Sequence, residues 1–391
     1  MESALNPFSP GSGLRPPSLV GRQAEIDAFD LLIARTRGRR SSRGLVLHGL
    51  RGVGKTVLLN SFRDQAERAQ WFIVEIEGRS ESSGREAVRQ RLARSLVLSA
   101  RKLQRARSIS RAVASALGTV KSFGISLAGP TLQFDVPAAA GRADSGRLDV
   151  DLEELVEDLA PALSKESSAL AIFVDEMQDL DPEMLAALLA VQHRAGQRGW
   201  PFYVIGAGLP SLPAVLSASK SYAERLFSYR AIAALDDDAS IAALVEPAEA
   251  RGVHFDERAL AMIVTAAGGY PYFLQTYGQA VWDIASDRLI TEADAADAIV
   301  AGTAELDMGF FPARWERATR SERDYLRAMS ESGDSPVRSA VVAERMGVPP
   351  SRLSPARQSL IEKGIIYAPD RGLVAFTVPH MAQFVLRQGD R

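Results

Sequence analysis

The feature that most constrains this chain is a glycine loop set between a short apolar run and a helix. Residues 43–49, RGLVLHG, read as a buried strand that ends at Gly49. After four intervening residues come Gly54, Lys55 and Thr56, and a helix is expected over Lys55–Glu67. Strand, GxxxxGK[ST] and helix in this order make a phosphate-binding loop. Glycine lets the backbone curl until its N–H groups point inward, and the helix start adds positive potential. Gly49, Gly52, Val53, Gly54, Lys55, Thr56 and Val57 are therefore the expected nucleotide-binding residues. Lys55 would bridge the β- and γ-phosphates, and the Thr56 hydroxyl would ligate magnesium.

Such a loop needs a second acidic partner. ALAIFVDE, residues 169–176, is a continuous apolar strand of the type buried in parallel sheets, and it ends on two acids. Asp175 fits the magnesium ligand at the strand tip. Glu176 stands where a base could orient the attacking water. Thr56 and Asp175 lie farther apart in sequence than a minimal core requires, so an insertion over about 80–148 is expected. Within it, residues 85–111 carry nine basic residues against one acid, with Val88, Leu92, Leu96 and Leu103 near one helical face. That segment is either a nucleic-acid contact or a solvated face that pairs with acidic residues such as those of 149–158. Residues 122–137 alternate enough to suggest a hairpin.

The remaining pattern alternates helices and strands, with WFIVEIEG at 71–78 and PFYVIGAG at 201–208 as further strands. This argues for a three-layer α/β domain. Residues 1–18, rich in Pro, Gly and Ser, read as an extended lead-in, and 236–310 read as helical without a convincing strand. At 391 residues two or three domains are expected. The expected boundaries are 19–235 for the core, 236–312 for a helical lid and 313–391 for a C-terminal domain.

Composition narrows the chemistry. With 46% hydrophobic and 24% charged residues the chain reads as a water-soluble globular protein. A net charge of −2 gives no global attraction to nucleic acid or membrane, so such binding must come from local patches. The absence of cysteine excludes disulfides, thiolate zinc sites and a cysteine nucleophile. Four scattered histidines argue against a metal site built from protein ligands alone. No apolar run approaches the roughly 18 residues of a membrane span, and the start lacks signal-peptide blocks, so a cytoplasmic location is expected.

LVGRQAEIDAF, GLRGVGKT and FVDEMQDL, in this order, resemble the AAA-type P-loop ATPases. The resemblance is to the branch shared by origin-recognition initiators, archaeal-type ATPases and STAND signalling ATPases. It implies that Val20 and Gly21 line the adenine pocket. It places YVIGAGLPSL, 203–212, at the strand that usually ends in a polar sensor, where this chain offers Gly206, Ala207 and Gly208. It makes Arg225 the counterpart of an arginine finger, against the alternative of a plain surface arginine. It puts Pro271 where many relatives carry a sensing arginine, resembling the glycine–x–proline element of STAND proteins. Both departures favour a slow switch over a fast motor.

Residues 313–391 resemble a winged helix, with a third helix over PPSRLSPARQSLIEKG and a wing hairpin turning at Pro369–Gly372. Arg352, Arg357, Lys363 and Arg371 would be its DNA contacts, although 13 basic against 9 acidic residues make it only mildly basic. The expectation is an ATP-binding, magnesium-dependent and slowly hydrolysing switch whose nucleotide state controls a DNA-binding winged helix. The alternatives are a STAND-like signalling or scaffold ATPase that docks protein or self-associates, and a nucleotide-binding structural module with negligible turnover.

Overall fold

The computed structural model describes residues 1–11, 13–78, 82–106, 111–128 and 137–388. The chain forms two compact units, one of Gln23–His48 and Lys55–Ala231, the other of Met1–Arg22, Gly49–Gly54 and Ile232–Arg391.

The first of these is a three-layer α/β domain. Its sheet has five parallel strands: β1 (Gly44–His48), β2 (Phe72–Glu77), β3 (Leu170–Asp175), β4 (Phe202–Gly208) and β5 (Phe227–Ala231), in the order β2-β3-β4-β1-β5. Helices α1 (Gln23–Arg37) and α2 (Lys55–Arg68) cover one face. There Phe29 stacks on Phe62 with ring centroids 4.8 Å apart and meets Trp71 and Phe173. On the other face Val74, Ile76, Ile172, Val174 and Val204 pack under α3 (Ser82–Ala106), α4 (Arg111–Ala128), α5 (Leu148–Lys165) and α6 (Pro182–Arg198). Two short helices, α7 (Leu212–Ser219) and α8 (Ala223–Leu226), lead into β5.

Up to residue 128 the described part of the insertion is helical, and 137–147 is loop. Residues 122–128 belong to α4 and not to a hairpin, because Leu117, Val120 and Phe123 recur at helical spacing and are all buried. The rest of that expected hairpin, 129–136, lies outside the described residues. Arg89 of the basic segment pairs with Asp181 at 3.4 Å and with Glu183. The acidic residues of α5 are matched elsewhere: Arg142 reaches Glu154, Glu157 and Asp158, while Arg194 and Arg198 reach Glu153 and Glu157.

The other unit is mainly helical. Helices α9 (Asp237–Glu249), α10 (Glu257–Ala267), α11 (Pro271–Ile284) and α12 (Glu292–Glu305) form its first part. A two-residue parallel pair, β6 (His254–Phe255) with β7 (Leu289–Ile290), ties two of their loops together, where the sequence offers no convincing strand. The N-terminal segment docks on α11: Phe8 is buried against Gly278, Trp282 Nε1 donates to the Glu2 carbonyl at 3.1 Å, and the Met1 amine donates to the Ala285 carbonyl at 2.6 Å.

After a wide turn at Leu306–Phe310 and α13 (Pro312–Trp315) come α14 (Arg320–Ser330), β8 (Val337–Arg338), α15 (Ser339–Arg345), α16 (Pro350–Glu362), β9 (Ile366–Tyr367), β10 (Leu373–Phe376) and α17 (Met381–Arg387). The three strands make an antiparallel sheet in the order β8-β10-β9. One apolar core runs through the whole unit, carried by Phe273, Phe311, Trp315 and Phe384. Among the described residues no helix is long and apolar enough to cross a membrane.

Candidate functional site

The glycine loop has the conformation its composition demands. Gly52 and Gly54 take φ of +83° and +91°, values that side-chain-bearing residues rarely adopt. A β-carbon on Gly49 would stand 2.1 Å from the Ile232 carbonyl oxygen, so that position cannot carry one. Val53 is buried. Its carbonyl accepts a 3.1 Å bond from Nη2 of Arg22, which also donates to the Ala233 carbonyl at 2.6 Å. Arg22 is itself buried and braces the loop from the segment that carries Val20 and Gly21. Gly21 has φ +68° and lies against Leu235 and Ala239.

Pro271 occupies the first turn of α11, where its missing N–H costs nothing. The next residue, Tyr272, reaches the loop: its Cβ lies 3.8 Å from where a β-carbon on Gly52 would stand. Tyr272 stacks on Phe310 at 4.8 Å, and the Arg314 guanidinium covers Phe310 at 4.3 Å. Arg51 of the loop donates its backbone N–H to the Thr377 carbonyl at 3.0 Å, just beyond β10. Three residues on, His380 has φ +57° and its ring lies 5.3 Å from that of Phe273. Burial lowers the His380 pKa; Asp334 opposes that shift and Arg387 adds to it.

The α/β unit has its own group of candidate residues: Lys55, Thr56, Asp175 and Glu176. Lys55 is buried at the start of α2, Thr56 and Val57 follow on its first turn, and the Thr56 hydroxyl donates to Oδ2 of Asp175 at 2.8 Å. Burial raises the Asp175 pKa, and the bonds from Thr56 and from the Glu176 backbone N–H pull it down less. A desolvated carboxylate beside a hydroxyl is an oxygen-only donor pair, which suits a hard cation such as Mg²⁺.

Glu176 takes φ +46° and ψ +48°, left-handed backbone in a residue that is not glycine. Strain of this kind gathers at functional sites. Its Oε2 accepts a 2.7 Å bond from Nε2 of Gln178, and Oε1 of Gln178 accepts from the Leu209 N–H at 3.1 Å. Gln178 thus ties the Glu176 carboxylate to the end of β4.

The glycines of β4 leave room for the turn after β3. A β-carbon on Gly206 would stand 2.4 Å from the Met177 sulfur, and one on Gly208 would stand 2.3 Å from Oε1 of Gln178. The turn after β3 fills the place that side chains on β4 would take. Arg225 is exposed on α8, and its side chain has no hydrogen bond or ion pair among the described residues.

Sequence reasoning missed Arg22, Gln178, Tyr272 and Thr377. The first two sit beside motifs already singled out and carry polar groups; nothing local marks the other two. In the C-terminal domain Lys363 is not a free cation, since its Nζ is 2.6 Å from Oε2 of buried Glu322. Arg352 and Arg371 are exposed and Arg357 is half-buried.

Sheet order and loop together define a P-loop NTPase fold. Residues 18–205 match the family model of the AAA ATPase domain, and residues 308–385 match that of a domain of unknown function (DUF8462). The structure is similar to the Walker-type ATPase PABY2304 of Pyrococcus abyssi, with a TM-score of 0.61 at 16% identity over 98% of this chain and 99% of that one. It also matches Cdc6p from Pyrobaculum aerophilum, with a TM-score of 0.45, 16% identity and coverage of 99% and 97%. A further match is the Aeropyrum pernix ORC1 protein, solved in complex with DNA, with a TM-score of 0.44, 17% identity and coverage of 95% and 94%. No curated protein matches the sequence.

Proposed function

We propose that this protein is an ATP-dependent switch: it binds ATP and Mg²⁺ at the Gly49–Thr56 loop, hydrolyses ATP slowly, and uses the nucleotide state to control a C-terminal winged helix that binds double-stranded DNA. Lys55 neutralises the phosphates, while Thr56 and Asp175 hold the cation. Bound there, the cation would offset phosphate charge. Glu176 orients the attacking water and is itself held by Gln178. Val20 and Gly21 border the adenine, and Pro271 starts the helix that presents Tyr272 to the loop. Arg225 is kept as an arginine finger toward a second copy. The proposed boundaries are 19–235, 236–312 and 313–391, in a cytoplasmic protein.

The observation that carries this reading is the bond from Arg51 to Thr377, because it joins the phosphate loop to a strand end of the C-terminal domain. A change in the loop on nucleotide exchange is then felt in that domain directly. The helix–strand–helix–helix–hairpin order of residues 320–376 supports the winged-helix reading, in which α16 would be the groove-reading helix.

The decisive experiment is steady-state ATP hydrolysis with and without duplex DNA at two salt concentrations. Turnover that rises with DNA and loses the rise at high salt supports the reading. Turnover indifferent to DNA refutes the DNA arm and favours a STAND-like protein-docking ATPase. The commitment of Lys363 to Glu322 is the observation on that side, because it leaves α16 fewer free cations.

A further inference from the structure

The end of α1 and the loop after it read RTRGRRSSR, residues 35–43: five arginines in nine positions and no acid. All five arginines are exposed. None of them, nor Arg230, has an ion-pair partner among the described residues. In a chain of net charge −2 this is a concentrated local field.

The loop is built to present these side chains. It closes α1 with bonds from Arg39 N–H to the Thr36 carbonyl at 2.9 Å and from Arg40 N–H to the Arg35 carbonyl at 2.9 Å. That motif places a left-handed residue after the helix, a position glycine normally fills. Here Arg39 occupies it with φ +53°, directly after Gly38. An arginine in that conformation costs on the order of 1 kcal/mol relative to glycine. Arg35 fixes the far side: its Nε donates to Ser42 Oγ at 2.8 Å and its Nη2 to the Ser41 carbonyl at 2.9 Å.

Next to the loop a cleft of about 500 Å³ opens between α1 and the edge strand β5. Arg35, Arg43 and Arg230 line it, together with Ser41, Ser42 and Ser228. Arg230 sits on β5 opposite Leu47, and its Nε is buried without a hydrogen-bond partner. A buried donor left unmade costs about 1–3 kcal/mol.

We infer that this cleft is a second, sequence-independent nucleic-acid site that holds the phosphodiester backbone. Guanidinium forks and serine hydroxyls are the donors that match phosphate oxygens. Among the described residues no aromatic ring lines the cleft, which favours contact with the backbone over stacking on bases. The inference does not depend on the C-terminal domain.

The test is fluorescence anisotropy of a labelled mixed-sequence duplex with the full chain, titrated across salt, with unlabelled single strand and poly-glutamate as competitors. Arg37→Glu with Arg40→Glu should weaken duplex binding roughly tenfold and flatten the salt slope by about 0.9 for each phosphate that no longer meets an arginine. Arg230→Gln should weaken it in the same direction. Arg39→Gly should raise the melting temperature while weakening binding, an opposition that a merely structural arginine would not give. Arg357→Glu with Arg371→Glu separates the two sites. Weaker binding in both sets means two sites. Weaker binding only in the loop set leaves the cleft and removes the winged helix as a DNA site. Weaker binding only in the C-terminal set overturns the inference. So does wild-type protein that binds no duplex, or a duplex displaced as readily by poly-glutamate as by single strand, which would assign the cleft to an acidic protein.

Discussion

Arg51 donates its backbone N–H to the carbonyl of Thr377, 326 positions later in the chain, at 3.0 Å. Thr377 is held rigidly for this. Its side chain is buried, its hydroxyl meets the Gly364 and Ile365 carbonyls at 2.7 and 3.0 Å, and its N–H donates to Ile365 at 3.1 Å. Thr377→Val removes the hydroxyl at nearly constant volume and should cost about 1–2 kcal/mol of stability. ADP affinity should move with it, by threefold or more. Melting curves with and without ADP check this. A lower melting temperature with an unchanged ADP increment would show the loop and the C-terminal domain to be independent.

Lys55→Ala should abolish ATP binding, read by titration calorimetry; retained affinity would mean the loop is not the nucleotide site. Glu176→Gln should bind ATP normally and turn over about 100-fold or more slower, the lower range for loss of a positioned base. Undiminished turnover in that variant would take Glu176 out of the chemistry.

The bond from Gln178 to Glu176 makes Gln178 a positioning residue, with a signature of its own. Gln178→Ala should lower kcat about tenfold and leave KM within twofold, since nothing it touches would meet the nucleotide. Gly208→Ala drives a β-carbon to 2.3 Å from Oε1 of Gln178 and should reproduce the defect. In the double variant the two effects should fall well short of adding, because both act through one hydrogen bond. Additive losses would place the harm of Gly208→Ala elsewhere, for instance on Leu212.

Much of this was legible in sequence because phosphate loops are local. Gly49 through Thr56 are contiguous, and the apolar run into Asp175 announces a buried strand whose tip must face outward. The pairing of Thr56 with Asp175 follows from those two motifs. What joins the loop to its surroundings was not legible. Thr377 contributes a backbone carbonyl, which every residue has, and Tyr272 contributes proximity. Gln178 looks like any polar residue in a turn until the glycines of β4 are seen to make room for it. The hairpin expected at 122–137 failed over 122–128 because a short alternating run cannot be told from a helical one until Leu117, Val120 and Phe123 are seen on one buried stripe.

Burial holds the Asp175 carboxyl above its ordinary value of 3.8. A carboxyl whose pKa is raised by folding keeps its proton longer in the native state than in the unfolded one. Its contribution to stability therefore falls as pH rises from 3.8 through the raised value. Above that window the buried carboxylate carries an unfavourable charge, which the proposed cation would relieve. Asp175→Asn should raise the melting temperature of the nucleotide-free protein at neutral pH, flatten its fall with rising pH, and erase the extra stabilisation by Mg²⁺ with ATP. A variant less stable than wild type at pH 7 without ligand would show that the hydrogen bonds of Asp175 outweigh its desolvation.

Glu322 is the opposite case. Burial would raise its pKa, but the bonds from Lys363, Ser359 and Thr319 outweigh that and hold it at about 2, against an ordinary value of 4.5. Its carboxylate caps α14 through Thr319 N–H at 2.6 Å and meets Lys363 Nζ at 2.6 Å. A depressed carboxylate stabilises the fold above its ordinary value, and that stability drains as pH falls from 4.5 toward about 2. Lys363→Met should therefore cost about 3 kcal/mol at pH 7 by stranding a buried charge. Glu322→Gln with Lys363→Met should recover most of that loss, and the recovered protein should lose less stability between pH 5 and pH 3 than wild type. Thermal melts of the three proteins at those pH values decide it. If Lys363→Met is as stable as wild type at pH 7, Lys363 is free to reach DNA and the charge of α16 must be counted again.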